Sequence, residues 1–318
     1  VWTLKYVKLG NTGLEVSRMC FGGLIIGPLQ ANLPLEEGTE VILEALEQGV
    51  NFIDTAELYG TYDYIREAIK KANSKPIIAT KSYAYSTEGA RDSLEKARKE
   101  LDMDVIDIFM LHEQESRLTL RGHRDAFEYY LKMKQKGVIK AVGVSTHNVE
   151  VVEACADMPG IEVIHPIVNK TGIGIGDGTI EDMLKAVKKA HDNGKGIYGM
   201  KPLGGGNLLN SYNDCMDFVL NIPYIDSIAI GMQSVQEVIM NVCVFNNEPV
   251  PDNIRSLAAN RKKHLHIDFW CEGCGECVKR CGQDALYIED NKAKVIEEKC
   301  LLCGYCASVC PCFAIKIC

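Results

Sequence analysis

From Arg18 onward, short apolar runs at 19–22, 52–55, 77–81, 106–112, 141–145, 163–168, 196–202 and 227–231 alternate with longer amphipathic stretches. The intervening segments, such as 35–48, 62–72, 87–101, 124–136, 180–193 and 235–244, repeat apolar residues at intervals of three and four. That is the period of a helix with one buried face. Strands separated by helices predict a parallel sheet, because each return to the same end of the sheet needs a crossover. Eight such units match a closed (β/α)8 TIM barrel better than an open doubly wound sheet, and no G-x-G-x-x-G opens the first crossover. Ahead of the barrel, residues 6–16 alternate about Gly10-Asn11-Thr12-Gly13 and predict a hairpin that plugs the barrel floor. Val1 to Lys5 reads as strand-like sequence without a signal peptide ahead of it.

In such a barrel the chemistry gathers where strands end. The pattern puts Asp54 after the second strand, Lys81 at the end of the third and His112 at the end of the fourth. Tyr59 follows Asp54 closely enough for its loop to swing the phenol back over the mouth. An Asp-Lys pair beside a phenol offers a way to lower the tyrosine pKa through a nearby cation, making the phenol a usable proton donor. His112 is then placed to bond and orient a substrate oxygen. Any one of these residues alone reads equally well as structural. Their joint placement on successive strand ends favours a site.

The last part of the chain changes the picture. Eight of the fourteen cysteines in the whole chain fall in two copies of one spacing, Cys271-x2-Cys274-x2-Cys277-x3-Cys281 and Cys300-x2-Cys303-x2-Cys306-x3-Cys310, the second followed by Pro311. This resembles the ligand pattern of bacterial two-cluster ferredoxins, in which the fourth cysteine of each run crosses to the other cluster. The resemblance implies one 4Fe-4S cluster on Cys271, Cys274, Cys277 and Cys310, and another on Cys300, Cys303, Cys306 and Cys281. Gly273, Gly275 and Gly304 are expected to let backbone N–H groups approach the sulfides, and 285–296 alternates around a polar turn as a hairpin. Zinc is the competing ligand reading, although zinc motifs usually pair two close cysteines with a distant second pair. A disulfide framework fits less well without a secretory signal. Cys20, Cys155, Cys215 and Cys243 read as buried thiols, and Cys312 and Cys318 as spare ligands beside the clusters. The expected organisation is a barrel over 1–245, a connecting segment over 246–267, and a small ferredoxin-like α+β domain over 268–318.

Composition narrows the partners. With 47% hydrophobic residues and a net charge of −8, the chain suits a large core plus a small one and disfavours nucleic acid and anionic membranes. No apolar run approaches the ~20 residues of a membrane span. A cytoplasmic protein of an oxygen-poor or strongly reducing cell is the expectation. The basic stretch 261–266 reads as a solvated connector or as a docking site for an acidic redox partner.

The segments Leu9-Gly-Asn-Thr-Gly-Leu-Glu-Val-Ser17, Asn51-Phe-Ile-Asp-Thr-Ala-Glu-Leu-Tyr-Gly60, Ala79-Thr-Lys81, Met110-Leu-His112 and Gly143-Val-Ser145 resemble successive signatures of the aldo-keto reductases, in the subgroup with a C-terminal ferredoxin-like extension. The resemblance implies a nicotinamide-dependent oxidoreductase with Tyr59 as general acid. Lys81 and Asp54 would tune it, His112 would position a small carbonyl substrate, and hydride would move between cofactor and substrate carbon. It also implies cofactor contacts from Ser145, Thr146, His165, Met200, Pro202, Gly204, Gly205, Gly206, Gln233, Glu237 and Asn241.

Several of these depart from the family pattern. Ser145 and Thr146 stand where asparagine is usual, His165 replaces a glutamine, and Met200 replaces a stacking aromatic. Glu237 occupies the place of an arginine, which predicts NAD(H) over NADP(H) because a carboxylate repels a 2′-phosphate. The bland reading of 233–241 is the exposed face of a helix. Nicotinamide moves two electrons and a 4Fe-4S cluster ordinarily one, so a flavin intermediary, a structural role for the clusters, and single-electron reduction of a substrate all stay open. The leading reading is an NAD(H)-linked reductase that communicates with a ferredoxin or other redox protein. The alternative is an electron-transfer protein or subunit whose barrel holds a flavin or substrate, and a third is a redox-sensing barrel.

Overall fold

The structure is a computed structural model and describes residues 4–72 and 74–318. Val1 to Thr3, part of the strand-like opening, lie outside the described residues. Strands β1 (Tyr6–Lys8) and β2 (Glu15–Ser17) form the expected antiparallel hairpin, with Val7 opposite Val16. Eight parallel strands follow: β3 (Met19–Gly22), β4 (Phe52–Asp54), β5 (Ile77–Ser82), β6 (Ile106–Leu111), β7 (Ile139–Thr146), β8 (Val163–Pro166), β9 (Gly196–Met200) and β10 (Ser227–Gly231). They close into a barrel through β10 and β3, where Ile228 pairs with Met19.

Successive side chains on a strand point to opposite faces, so alternate residues fill the barrel. The interior layer contains Cys20, Phe52, Ala79, Ile108, Met110, Ala141, Val163, Tyr198 and Ala229, supplied by β3 to β10. Leu9 and Val16 of the hairpin belong to the same cluster, which makes the hairpin the barrel floor. Gly10 fits this floor because a Cβ there would lie 2.3 Å from the Gly196 nitrogen. Burying each large apolar side chain here contributes about 1.5–3 kcal/mol relative to leaving it exposed. Helices between strands cover the outer faces, their apolar stripes merging into the main core.

Past the barrel, a helix over Asp252–Ala259 packs on the helix Val235–Phe245, and strand β11 (Leu265–Ile267) pairs with the late strand β14 (Ile315–Ile317). The stretch expected to be a connector therefore holds a helix and a strand paired with the end of the small domain. Its basic residues are mostly engaged internally: Arg261 pairs with Glu37 at 3.2 Å and Lys263 with Glu237 at 3.4 Å. The hairpin expected at 285–296 is β12 (Leu286–Glu289) and β13 (Lys292–Val295), turning at Asp290 and Asn291, both at positive φ. Among the described residues no helix is long and apolar enough to cross a membrane.

The small domain sits on the barrel mouth. Ile317 donates its N–H to the Gly205 carbonyl at 2.9 Å, and the Asn207 amide donates to the Ile315 carbonyl at 2.9 Å. Gly304 of the second cysteine run lies so close that a Cβ would stand 2.5 Å from the Asn207 oxygen. This close approach serves domain packing, a use the expectation of N–H groups aimed at sulfides did not include. At Gly206, held at φ +85°, a Cβ would meet the Ile317 oxygen at 2.0 Å. Gly206→Ala is expected to cost about 1–3 kcal/mol through backbone strain and displacement of β14. Faster proteolysis between residues 246 and 264, together with a lower melting temperature, is the expected signature; unchanged protease resistance would contradict the docking described.

Candidate active site

The alternation that packs the interior also builds the site. Asp54, Lys81, His112, His165 and Met200 each stand two residues beyond an interior-layer residue, namely Phe52, Ala79, Met110, Val163 and Tyr198. They therefore point inward one layer higher, at the strand ends that form the mouth. Lys81 donates to both Asp54 oxygens, at 2.8 and 2.9 Å, and to the Thr55 carbonyl at 2.7 Å. The Tyr198 hydroxyl donates to Asp54 at 2.8 Å. Burial opposes ionisation of Asp54, but Lys81, His165 and these hydrogen bonds outweigh it and hold the pKa below the usual carboxylate range.

Tyr59 arrives from the turn Glu57–Tyr59, closed by Gly60 at φ +64°. Its hydroxyl stands 3.4 Å from His112 Nε2, and the Lys81 ammonium lies 4.9 Å from its ring centroid. The expected four residues thus meet. The expected lowering of the phenol pKa is corrected, because burial raises it well above the ordinary value and Asp54, Glu113 and Tyr83 add to the rise. The physical reason is that the Lys81 donors are spent on Asp54 and Thr55, so the phenol meets a neutralised pair rather than a free cation. His112 stacks on Tyr83 with centroids 4.4 Å apart, and its Nδ1 is buried without a partner. Burial first, then Lys81 and Lys201, lower its pKa to about 3.

A cleft of about 840 Å³ starts at Asp54, Tyr59 and His165 and runs past Met200, Pro202, Gly205 and Gly206 to Gln233, Glu237 and Asn241. That volume lies in the upper part of the range of roughly 300–1,000 Å³ for small-molecule sites. Its roof comes from the small domain, through Leu301, Leu302, Lys316 and Ile317, and its far end includes Arg255 and Lys263. His165 stacks on Tyr198 at 3.8 Å, with Nδ1 bonded to the Tyr198 carbonyl at 2.7 Å, and burial lowers its pKa to about 4.

Other expected contacts are engaged differently. Ser145 Oγ accepts from the Glu113 N–H at 2.8 Å, and the Thr146 hydroxyl donates to the Gln114 carbonyl at 2.6 Å. Gly205 and Gly206 form a close-approach surface, but what approaches is β14, while Gly204 packs on Ile173 and Leu208. Glu237 accepts from the Gln233 N–H at 2.7 Å and pairs with Lys263. Lys263 and Arg255 together remove the net negative charge on which the preference for NAD(H) rested.

The sequence reading gave no role to His147, Lys201, Tyr198, Phe313 or Lys316. Lys201 accepts a left-handed backbone, φ +57°, at the end of β9, and its ammonium bonds His147 Nε2 at 2.8 Å. Its visible signal is a lysine inside the otherwise apolar run 196–202.

In the small domain, Cys271, Cys274, Cys277 and Cys310 line one cavity together with Cys312, as the crossing pattern requires for the first cluster. The Ala293 and Ala314 N–H groups point at the sulfurs of Cys271 and Cys310, at 3.4 and 3.3 Å. Such N–H···S contacts adjust cluster potentials. Cys312 stands 3.7 Å from Cys310, sulfur to sulfur, placing one expected spare ligand at this cavity. Among the described residues no three ligands converge as around a single metal ion.

Comparison with known proteins agrees with this division. The model of the "Aldo/keto reductase family" matches residues 18–258, and that of the "4Fe-4S dicluster domain" matches residues 264–311. Similar curated proteins include the L-galactose dehydrogenase of Arabidopsis thaliana, 26% identical over 63% of this chain and 66% of the relative. The probable aldo-keto reductase 1 of Glycine max is 27% identical over 63% of this chain and 60% of the relative. The chain thus spans about three-fifths to two-thirds of the length of these relatives. Among solved structures, aldo-keto reductase AKR11C1 from Bacillus halodurans, holo form, superposes with TM-score 0.65 at 21% identity, covering 80% of this chain and 96% of that one. A putative aldo-keto reductase from Pseudomonas aeruginosa, PA4992, gives TM-score 0.65 at 20% identity over 76% and 94%. At such identities the likeness shows the fold. With its barrel covered by the family model and its mouth built as described, the chain belongs to the aldo/keto reductase family and carries a C-terminal 4Fe-4S dicluster domain.

Proposed function

We propose that this protein is an iron–sulfur oxidoreductase that interconverts a small carbonyl compound and its alcohol in the barrel mouth. In this reading it binds a nicotinamide dinucleotide in the cleft and exchanges electrons with a ferredoxin or other redox protein. The observation that carries the reading is the single cleft, which has Tyr59 at one end and the cluster-bearing loop residues Leu301 and Leu302 in its wall. When bound, the nicotinamide would supply hydride, and the two 4Fe-4S clusters single electrons. Their ligands would be Cys271, Cys274, Cys277 and Cys310 for one, and Cys300, Cys303, Cys306 and Cys281 for the other. Met200 and Pro202 offer the apolar wall for the ring, and Gln233, Glu237 and Asn241 bound the far end. The cations Arg255 and Lys263 there make the dinucleotide end compatible with NAD(H) and NADP(H).

The chain's own residues manage the proton. A half-buried Tyr59 whose pKa is raised keeps its hydroxyl protonated at neutral pH, so a proton is always available for a carbonyl oxygen. The Lys81 ammonium lies 4.9 Å from the ring with its donors held by Asp54 and Thr55, so it packs against and orients the phenol without ionising it. His112, neutral above about pH 3, serves as a hydrogen-bonding guide rather than as the acid. A second reading, an electron-transfer protein whose barrel holds a flavin or a substrate reduced by single electrons, draws on the same contact between Leu301, Leu302 and the cleft.

Tyr59→Phe removes the donor and is expected to lower turnover by about 10²–10⁴-fold with the fold intact; near-normal rates at a carbonyl substrate would remove Tyr59 from that role. Protein purified without air should contain iron and sulfide for two cubanes and quench or enhance NADH fluorescence on titration. Extracted flavin with no NADH binding would favour the second reading instead. Acid should weaken the fold in a defined direction. His112 and His165, at about 3 and 4, stay neutral while the unfolded chain binds protons below about pH 6.5, so stability falls as pH drops from there. Each such histidine accounts for up to about 1.4 kcal/mol per pH unit. His165→Gln should therefore lose less unfolding free energy between pH 7 and 5 than the parent at equal iron content, as measured by anaerobic denaturant titration.

A further inference from the structure

Four lysines face the barrel mouth and its cleft, and three are matched with carboxylates, Lys263 with Glu237 as described. Lys81 is paired with Asp54 at 2.8 Å and Lys316 with Asp268 at 3.3 Å. Lys201 is different. Among the described residues no carboxylate lies within ion-pair distance of it, and its hydrogen-bond partner is His147 Nε2 at 2.8 Å. His147 is neutral, since burial and then Lys201 hold its pKa well below the ordinary value despite Glu113. Burial likewise lowers the Lys201 pKa to about 8, with Glu113 opposing, so the side chain is an ammonium at neutral pH. An ammonium has three donors, and a neutral imidazole takes one. With Glu113 acting on it only at a distance and its remaining donors free at the cleft, the half-buried ammonium is left to complete its bonding with an incoming anion.

The surroundings hold the ammonium in place. Lys201 and Glu113 adopt left-handed backbones, φ +57° and +42°, at the ends of β9 and β6, a conformation that persists in bulky residues only where the surroundings enforce it. Glu113 stands 3.7 Å from His147 Nε2 and accepts from the Tyr83 hydroxyl. Tyr83 in turn stacks on His112, the residue beside the Tyr59 hydroxyl. On the other side, the Phe313 ring of the small domain lies 5.3 Å from the ammonium and limits access of water. Lys201 nevertheless lines the cleft that Tyr59 lines.

We propose that Lys201, braced by His147 and Glu113, anchors a carboxylate on the substrate, so that the barrel acts on short oxo acids. This deepens the carbonyl-substrate reading above and rests on it. A carboxylate supplies the missing charge and accepts the unused donors, and a carbonyl a few bonds away is then directed toward Tyr59 and His112. The diphosphate of a dinucleotide is the other anion that enters this cleft. It is disfavoured because β14 covers Gly205 and Gly206, the backbone that would cradle it.

The test uses the full-length, cluster-containing protein and calorimetric binding of pyruvate and 4-oxobutanoate, each against its methyl ester, with NADH titrated in parallel. The parent protein should bind at least one acid tenfold or more tightly than its ester. Lys201→Met should erase that preference while leaving ester and NADH affinities within twofold, and Lys201→Arg should restore most of it. Equal binding of both acids and their esters by the parent protein overturns the proposal without any variant. So does a preference that survives Lys201→Met, or a variant whose main loss is NADH affinity, the outcome that assigns Lys201 to the diphosphate. Because binding is read without turnover, a protein that holds oxo acids through Lys201 yet reduces none of them would overturn the carbonyl-reductase reading and leave the anchor standing.

Discussion

The ion pair between Asp54 and Lys81 is the constraint on which the mouth is organised. Both side chains are almost fully buried, at 6% and 1% exposure, so neither charge is tolerable without the other. Removing one partner of such a pair typically costs about 3–5 kcal/mol, because the remaining charge is stranded. The pair also joins two layers of the barrel. Tyr198, whose ring fills the interior beside Phe52, reaches up to bond Asp54, and His165 stacks on the same Tyr198 ring. The apolar filling below and the polar rim above are therefore one connected arrangement, in which a shift of the floor is felt at the Lys81 ammonium and at the Tyr59 ring over it.

A second constraint comes from the small domain. Its strand β14 lies along the glycine-rich loop after β9, and Lys316 and Ile317 of that strand complete the wall of the cleft. The barrel mouth of this chain is consequently a composite of both domains. Lys316 is buried at 2% exposure with Asp268 and also lies over the Phe313 ring, so the small domain brings its own compensated charge into the interface. Docking rests on backbone hydrogen bonds and glycine-permitted approaches, which fix position more tightly than a flexible tether would.

Much of this was legible in the sequence, for identifiable reasons. The strands were found within a few residues because β3 to β10 are buried apolar runs and the intervening helices keep the 3.6-residue period. That Asp54, Tyr59, Lys81 and His112 would come together was legible because strand ends converge at the mouth in this architecture. The crossing of Cys310 to the first cysteine run is reflected in the cavity that holds all four thiols. What escaped detection was long-range. His147, Lys201 and Glu113 come from three different strand ends, and nothing in their local spacing says that they meet. The raised Tyr59 pKa escaped because it depends on where the Lys81 donors point, and sequence position does not encode that. Glu237 misled because its partner Lys263 comes from the segment read as a connector.

The pairing of β11 with β14 gives the small domain a particular order of assembly. Its first strand has no partner until its final strand has been synthesised, and Cys310 joins Cys271, Cys274 and Cys277 only when the intervening hairpin has folded back. The barrel, whose strands all precede β11, can close earlier and stand with its mouth uncovered. Synthesis thus passes through a stage in which the reactive end of the barrel is an open bowl, and iron acquisition and the roofing of that bowl become late, mutually dependent events.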